Sequence, residues 1–351
     1  GISVYEEKRQ DPSWGQSMNA GYRQMVLEGG LVPVSGLSGA FLDPPSPAHL
    51  EFAYYEASLV VEYLVETYGL ETVKRILTDL ATGASIDVVL ARHTVPLAEL
   101  DDKFSEFAKN RASELAPEAD WQPPELPPSA DLAAITVWNE QHPNNIPGLQ
   151  LLARRLVEEK KWHEAKEPLA KLLLLYPENI GPESPYLPLA RVHRELGETE
   201  PERSVLEKLA ALDADAAEAN LRLVELCEAS EDWKGVAAAA ERILAIDPLI
   251  RTAHRSLALA AEALDDPARA IPAYRALLRM GPVDPAEAHF RLARLLSGEG
   301  DLKSARRQVL QALEEAPRFR EAHRLLLELV DGAEGKAGAP DSTEPAGKEP
   351  P

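Results

Sequence analysis

Cysteine is almost missing from this 351-residue sequence: Cys227 stands alone. One thiol excludes an intramolecular disulfide framework and a thiolate metal cluster. It falls in the apolar-periodic stretch LRLVELCEA, where a small buried core residue is expected. Long hydrophobic runs are missing too. Even runs such as Leu172–Tyr176 and Val236–Ala240 fall far short of the roughly 20 residues that cross a bilayer, so no membrane span is expected. The opening GISVYEEKR has neither the basic leader nor the apolar stretch of a signal peptide, and the compartment stays open. Positive charge is in short supply, 37 Lys and Arg against 58 Asp and Glu, for a net −21. That excludes the basic footprint of a bulk nucleic-acid binder. The acid surplus itself reads as a solvated surface.

Catalytic signatures are missing as well. There is no HExxH, GxSxG, glycine-rich phosphate loop or Cys/His pair. The acidic pairs Glu6–Glu7 and Asp101–Asp102 are adjacent, so on a helix they diverge by about 100° and share no proton. His254, His289 and His323 recur 35 and 34 residues apart. Ligands to one zinc must all lie within about 2.1 Å of it, whereas such a register places side chains roughly 10 Å apart. They read as a repeated interfacial side chain.

What is present is helical pattern in three regimes. Residues 1–114 are mixed and mostly helical. The loop-rich stretch LVPVSGLSGAFLDPPSPAH forbids one continuous helix through its glycines and prolines. LEFAYYEASLVVEYLVETYG follows with apolar residues at three- and four-residue steps and Gly69 as a stop. LETVKRILTDLATG and PLAELDDKFSEFAKNRA read as two further amphipathic helices. Residues 115–128 are a proline-rich linker that spaces its neighbours, and a linking helix is expected within 129–145.

From residue 146 to 331 the chain repeats itself. Ala165, Val236, Ala270 and Ala305 each precede a proline by twelve residues, and Pro248, Pro282 and Pro317 fall 34 and 35 apart. Leu152–Ala153, Leu189–Ala190, Leu257–Ala258 and Leu292–Ala293 mark the first helices of the pairs. The segment containing Arg191 fills a slot without the proline, and Glu202 stands where a small residue is expected. The pattern resembles the tetratricopeptide repeat family, as five repeats over about 146–317 with FREAHRLLLELV as a capping helix. The resemblance implies an α-solenoid of helix pairs that binds protein or peptide ligands in its groove. Arg154, Arg191, Arg222, Arg255, Arg291 and Arg294 lie on the first helices and are candidates for acidic peptides, unless neighbouring Glu side chains occupy them. The tail 332–351 has no aromatic or large aliphatic residue and reads as disordered.

The first regime carries a second resemblance. GISVYEE is similar to the stretch after the third zinc ligand of gluzincin-type metallopeptidases, with Gly1, Tyr5 and Glu7 at the matching places. FAYYEASLVVEYLVETYG and LETVKRILTDLATGASIDVVL resemble the helical region behind the zinc helix. The resemblance makes residues 1–114 the second half of a peptidase domain, mostly α like the rest. It implies a parent zinc-dependent peptidase whose third ligand immediately precedes Gly1, with zinc as the parent's cofactor and none in this chain. Tyr54, with Tyr55 as fallback, is then the residue that stabilises an oxyanion. As given, the chain is expected to act as a binding module. The alternative is a non-enzymatic repeat scaffold with a degenerate peptidase-like half.

Overall fold

The computed structural model describes residues 1–127, 129–181 and 183–337, with side chains to residue 330. The chain divides into two compact units, Gly1–Ala216 and Ala217–Pro351. Among the described residues the regular structure is helical apart from one isolated bridge.

The first unit begins with α1 (Ile2–Gln10), α2 (Ala20–Leu27), α3 (Leu37–Leu42), α4 (Pro47–Tyr68), α5 (Leu70–Ala81), α6 (Ile86–His93) and α7 (Leu97–Glu114). Helix α4 is the spine. Ser46 caps it by accepting from the His49 N–H, Pro47 fits its first turn, and Gly69 ends it at φ 83°. Its apolar face carries Phe52, Tyr55, Leu59, Val60, Tyr63 and Leu64 into a core shared with Leu100 and Phe104 of α7. Helix α1 lies along α4. A Cβ at Gly1 would run into the Ala57 carbonyl oxygen, and Lys8 reaches Glu62 at 3.8 Å. The loop before α3 is tied down by two carboxylates: Val32 donates its N–H to Glu56 (2.7 Å) and Val34 donates to Asp101 (2.8 Å).

The proline-rich segment is anchored rather than merely spacing its neighbours. Asp120 and Asn145 form a parallel bridge, with Asp120 N donating to Asn144 O and Ile146 N to Asp120 O. The Asn145 amide donates to the Asp120 carboxylate (2.7 Å) and to Gln122 O (2.8 Å). Trp121 is wedged between the two ends of the unit: Arg23 of α2 stacks on its ring at 4.9 Å, and Tyr176 meets it edge-on at 5.9 Å. The linking helix is α8 (Leu132–Gln141).

Two helix pairs complete this unit, α9 (Ile146–Glu158) with α10 (Trp162–Leu175) and α11 (Tyr186–Glu195) with α12 (Thr199–Leu212). The second unit holds three more, α13 (Ala217–Ala229) with α14 (Trp233–Ile246), α15 (Arg251–Ala263) with α16 (Pro267–Arg279), and α17 (Pro285–Gly298) with α18 (Leu302–Glu315). They are followed by α19 (Arg320–Ala337). The backbone of α19 thus runs past residue 332, and residues 338–351 of the expected tail lie outside the described residues.

The five pairs share one turn. The residue before each second helix's cap donates through a left-handed connection, at Lys160, Gly197, Glu231, Asp265 and Gly300, all with positive φ. The next residue's N–H then closes a six-residue bond: Lys161 to Leu156 O, Glu198 to His193 O, Asp232 to Cys227 O, Asp266 to Ala261 O and Asp301 to Leu296 O. Gly197 puts the proline-less segment in the same class as the others. The small residues are where helices approach: Ala165, Val236, Ala270 and Ala305 are fully buried. Glu202, the departure from that rule, is buried as well.

Candidate functional site

The first helices of the second unit place equivalent residues side by side. Leu221 on α13, Arg255 on α15, Phe290 on α17 and Arg324 on α19 follow at 34, 35 and 34 residues. Leu221 is 40% exposed and Arg255 and Arg324 are exposed. Phe290 is half-buried, its ring 4.9 Å from Phe319. Phe319 lines an open cleft of 620 Å³ between the start of α17, at Asp284 and Glu287, and the α18–α19 turn, at Pro317 and Arg318. The result is a row of alternating apolar and cationic side chains that ends beside a cleft.

The arginines singled out in the sequence have separate fates. Arg222 pairs with Glu225 at 2.6 Å. Arg291 donates to Glu287 (2.6 Å) and to Glu262 (3.0 Å), and Arg294 stands 3.9 Å from the same Glu262. Glu262 also accepts from the Tyr274 hydroxyl at 2.9 Å. Burial pulls the Arg291 pKa down, yet its bonds to Glu287 and Glu262 outweigh that and raise it. Burial, then the Glu262 charge, pushes the Tyr274 hydroxyl up. Arg191 belongs to the first unit and stacks on Trp162 at 5.6 Å. Arg154 and Arg255 are exposed and form no ion pair among the described residues. So Arg255 is the member of the set that the second unit leaves available for an acidic ligand. Leu221 and Phe290 escaped a reading that looked for charge, although their repeat register with Arg255 marks them.

Two of the three recurring histidines are turn pins. His254 Nε2 donates to Pro248 O and His323 Nε2 to Pro317 O, both at 2.9 Å across six residues. One extra residue in the intervening repeat breaks that reach, and His289 Nδ1 meets Gln308 Oε1 at 2.7 Å instead. Among the described residues no group of three or more His, Cys, Asp or Glu is placed to hold a metal ion. None of the described helices is long and apolar enough to cross a membrane.

In the first unit, Tyr54 and Tyr55 leave α4 about 100° apart and meet different surroundings. Tyr54 is 46% exposed with its ring edge-on to Phe41 at 5.0 Å. Tyr55 is 3% exposed and stacks on Tyr22 at 4.8 Å, and burial, then Glu62, pushes its hydroxyl up. Of the two, Tyr55 is a core residue and only Tyr54 presents a face to solvent.

Residues 228–285 and 255–318 match the tetratricopeptide repeat family, and the chain carries such repeats there. No curated protein matches the sequence. Solved structures resemble it at low identity. A MamA protein is 20% identical, covering 49% of this chain and 92% of its own, with a TM-score of 0.37. YrrB, described as a TPR protein with an unusual peptide-binding site, is 14% identical over 55% and 98%, with a TM-score of 0.40. PilF of Pseudomonas aeruginosa is 18% identical over 55% and 86%, with a TM-score of 0.33. Likenesses at this level carry no argument about function. All of these comparisons bear on repeats, and none supports a peptidase domain.

Proposed function

We propose that this chain is a protein-interaction scaffold whose repeats hold an extended peptide segment of a partner. The observation that carries the reading is the row Leu221, Arg255, Phe290 and Arg324, which alternates apolar and cationic groups at one repeat register. An extended peptide alternating apolar and acidic side chains complements it: the guanidiniums take carboxylates, and Leu221 and Phe290 take the apolar groups. Arg222, Arg291 and Arg294 contribute less, because Glu225, Glu262 and Glu287 already neutralise them. Selection of peptides against the whole chain tests this. The expected binders alternate apolar residues with Asp or Glu and bind at least about tenfold more weakly to Arg255→Glu. Unpatterned binders, or binders indifferent to both Arg255→Glu and Phe290→Ala, would sink the reading.

A second reading, that the first unit belongs to a zinc-peptidase-like domain, draws support from one contact. Gly1 is pressed against Ala57, one helical turn beyond the exposed Tyr54, which puts the start of α1 near that tyrosine. The described residues contribute no group of three or more potential metal ligands, and a zinc site would draw on ligands beyond them. Zinc analysis of a longer protein that includes the preceding residues decides it: one zinc per chain supports the peptidase parent, and none leaves the scaffold alone.

A further inference from the structure

Charge is distributed unevenly along this acidic chain. Residues 1–216 hold 19 basic and 35 acidic residues, whereas residues 251–330 hold 13 basic and 11 acidic ones. Within that stretch Arg291 and Arg294 on α17 are spent on Glu262 and Glu287, as described above. On the second helices Arg269 pairs with Glu241 and Asp266, and the remaining cations do not pair among the described residues. Arg275 and Arg279 on α16, and Lys303, Arg306 and Arg307 on α18, are all exposed and form no ion pair among the described residues. Their helices bury the opposite sides, Ala270, Ala273, Tyr274 and Leu277 on α16 and Ala305, Val309 and Ala312 on α18. The cationic sides therefore face away from the first helices. Asp301, the cap of α18, ties the two sets together. Its carboxyl is held below the usual range first by the Ser304 hydroxyl and N–H, then by the charges of Arg275 and Arg307, which border it from separate helices.

We propose that this outward face of α16 and α18 docks a short, carboxylate-rich segment of a partner protein. It is separate from the row on the first helices and does not depend on it. Arg275 and Arg279 lie one turn apart on α16, and Lys303 lies one turn from Arg306 and Arg307 on α18, so their N–H donors suit carboxylates. Leu310, 44% exposed and one turn from Arg306 and Arg307, adds an apolar foothold that a peptide side chain covers and a phosphate backbone does not. The patch is also short. Lys303 to Leu310 spans about 10 Å of helix, and Glu314 and Glu315 follow at its end. A long polyanion would overrun it onto acidic surface, while a segment of a few residues stays within it.

Titration of the whole chain with an oligo-glutamate peptide, against single-stranded DNA of equal charge, tests the proposal. Binding of the peptide is expected, weakened by salt and preferred over the DNA. The double variant Arg275→Glu/Arg307→Glu should lose about tenfold or more, with helicity and melting temperature unchanged because both side chains are exposed. Lys109→Glu, a charge reversal on α7 of the first unit, should leave this affinity within about twofold. Undiminished binding in the double variant, or stronger binding of the DNA, overturns the proposal. Should Arg255→Glu alone abolish binding, the outward face is excluded and the first-helix row stands. Should the double variant unfold, Arg275→Gln/Arg307→Gln carries the same expectation and the same overturning outcome.

Discussion

At Glu56 a carboxyl sits wholly inside the first unit with half of its hydrogen-bonding capacity met. One oxygen accepts from Val32 N–H, the other has no partner among the described residues, and the side chain is 0% exposed. Burial raises its pKa from 4.5 to about 7, against the opposing pull of the Val32 bond. A raised folded pKa means that the folded state keeps its proton where the unfolded chain has lost it. The associated stability is complete below about pH 4.5, declines as pH rises, and is gone above about pH 7. The difference corresponds to about 3 kcal/mol for the first unit. Urea unfolding at pH 5 and pH 8 should show it, and Glu56→Gln, which keeps an acceptor for Val32, should flatten the dependence. An equal pH dependence in the Gln variant would assign the effect to other groups. Tyr54 and Tyr55 make a related point: neighbours in sequence, they differ more than tenfold in exposure because a helix turns about 100° per residue.

Among the elements, the proline-rich segment behaves least like its composition. Five prolines and no periodicity describe a spacer, yet Asp120, Trp121 and Gln122 are pinned from three directions. Trp121 contributes a cation–π contact with Arg23 and an edge contact with Tyr176. Its truncation to Ala should cost about 2 kcal/mol and open residues 115–128 to proteolysis. Unchanged cleavage kinetics in Trp121→Ala would mean that the bridge through Asn145 suffices. The same tight fit appears where α8 meets α9. Gly148 leaves room for Trp138, and any Cβ there would strike the indole ring. Helix α6, by contrast, is short and weakly patterned, and it exists because Val89 and Leu90 drop into the core that α4 and α7 build.

Across the whole molecule, the division falls at Ala216–Ala217, inside the repeats and not at the proline-rich segment. The reason is visible in Trp121 and Asn145, which bind the first repeat to the chain before it. The second unit has its own core, in which Ala258, Tyr274, Leu292, Ala293, Val309 and Leu329 meet. A piece covering residues 217–351 should therefore unfold in one cooperative, highly helical transition. A piece cut at residue 129 should be less stable than the same repeats in the full chain, because the cut removes Trp121 from Tyr176. Circular dichroism melts of both pieces check this, and a molten 217–351 piece that binds hydrophobic dye would contradict it.

The repeats were legible in the sequence because their determinants are local. A 3.6-residue period, a small residue at four of the five close approaches and a proline after four of the five second helices recur within one register, and stacking neighbours need nothing else. The left-handed turn residue was not legible, since Lys160, Glu231 and Asp265 fill it as readily as Gly197 and Gly300. Its conformation is imposed by the bond that closes the turn. The partners of the arginines and carboxylates lay further out of reach. Glu56 binds a backbone group 24 residues away, Asp101 one 67 away, and Glu262 gathers Tyr274, Arg291 and Arg294 from two other helices. Composition offered many Glu side chains for each Arg, and periodicity placed them on faces, but only the packing of helices decided which charges cancel. Sequence alone therefore determined that this chain stacks helix pairs. The tertiary structure decided which arginines remain to meet a partner, because an ion pair depends on a few ångströms between side chains that the chain order does not set.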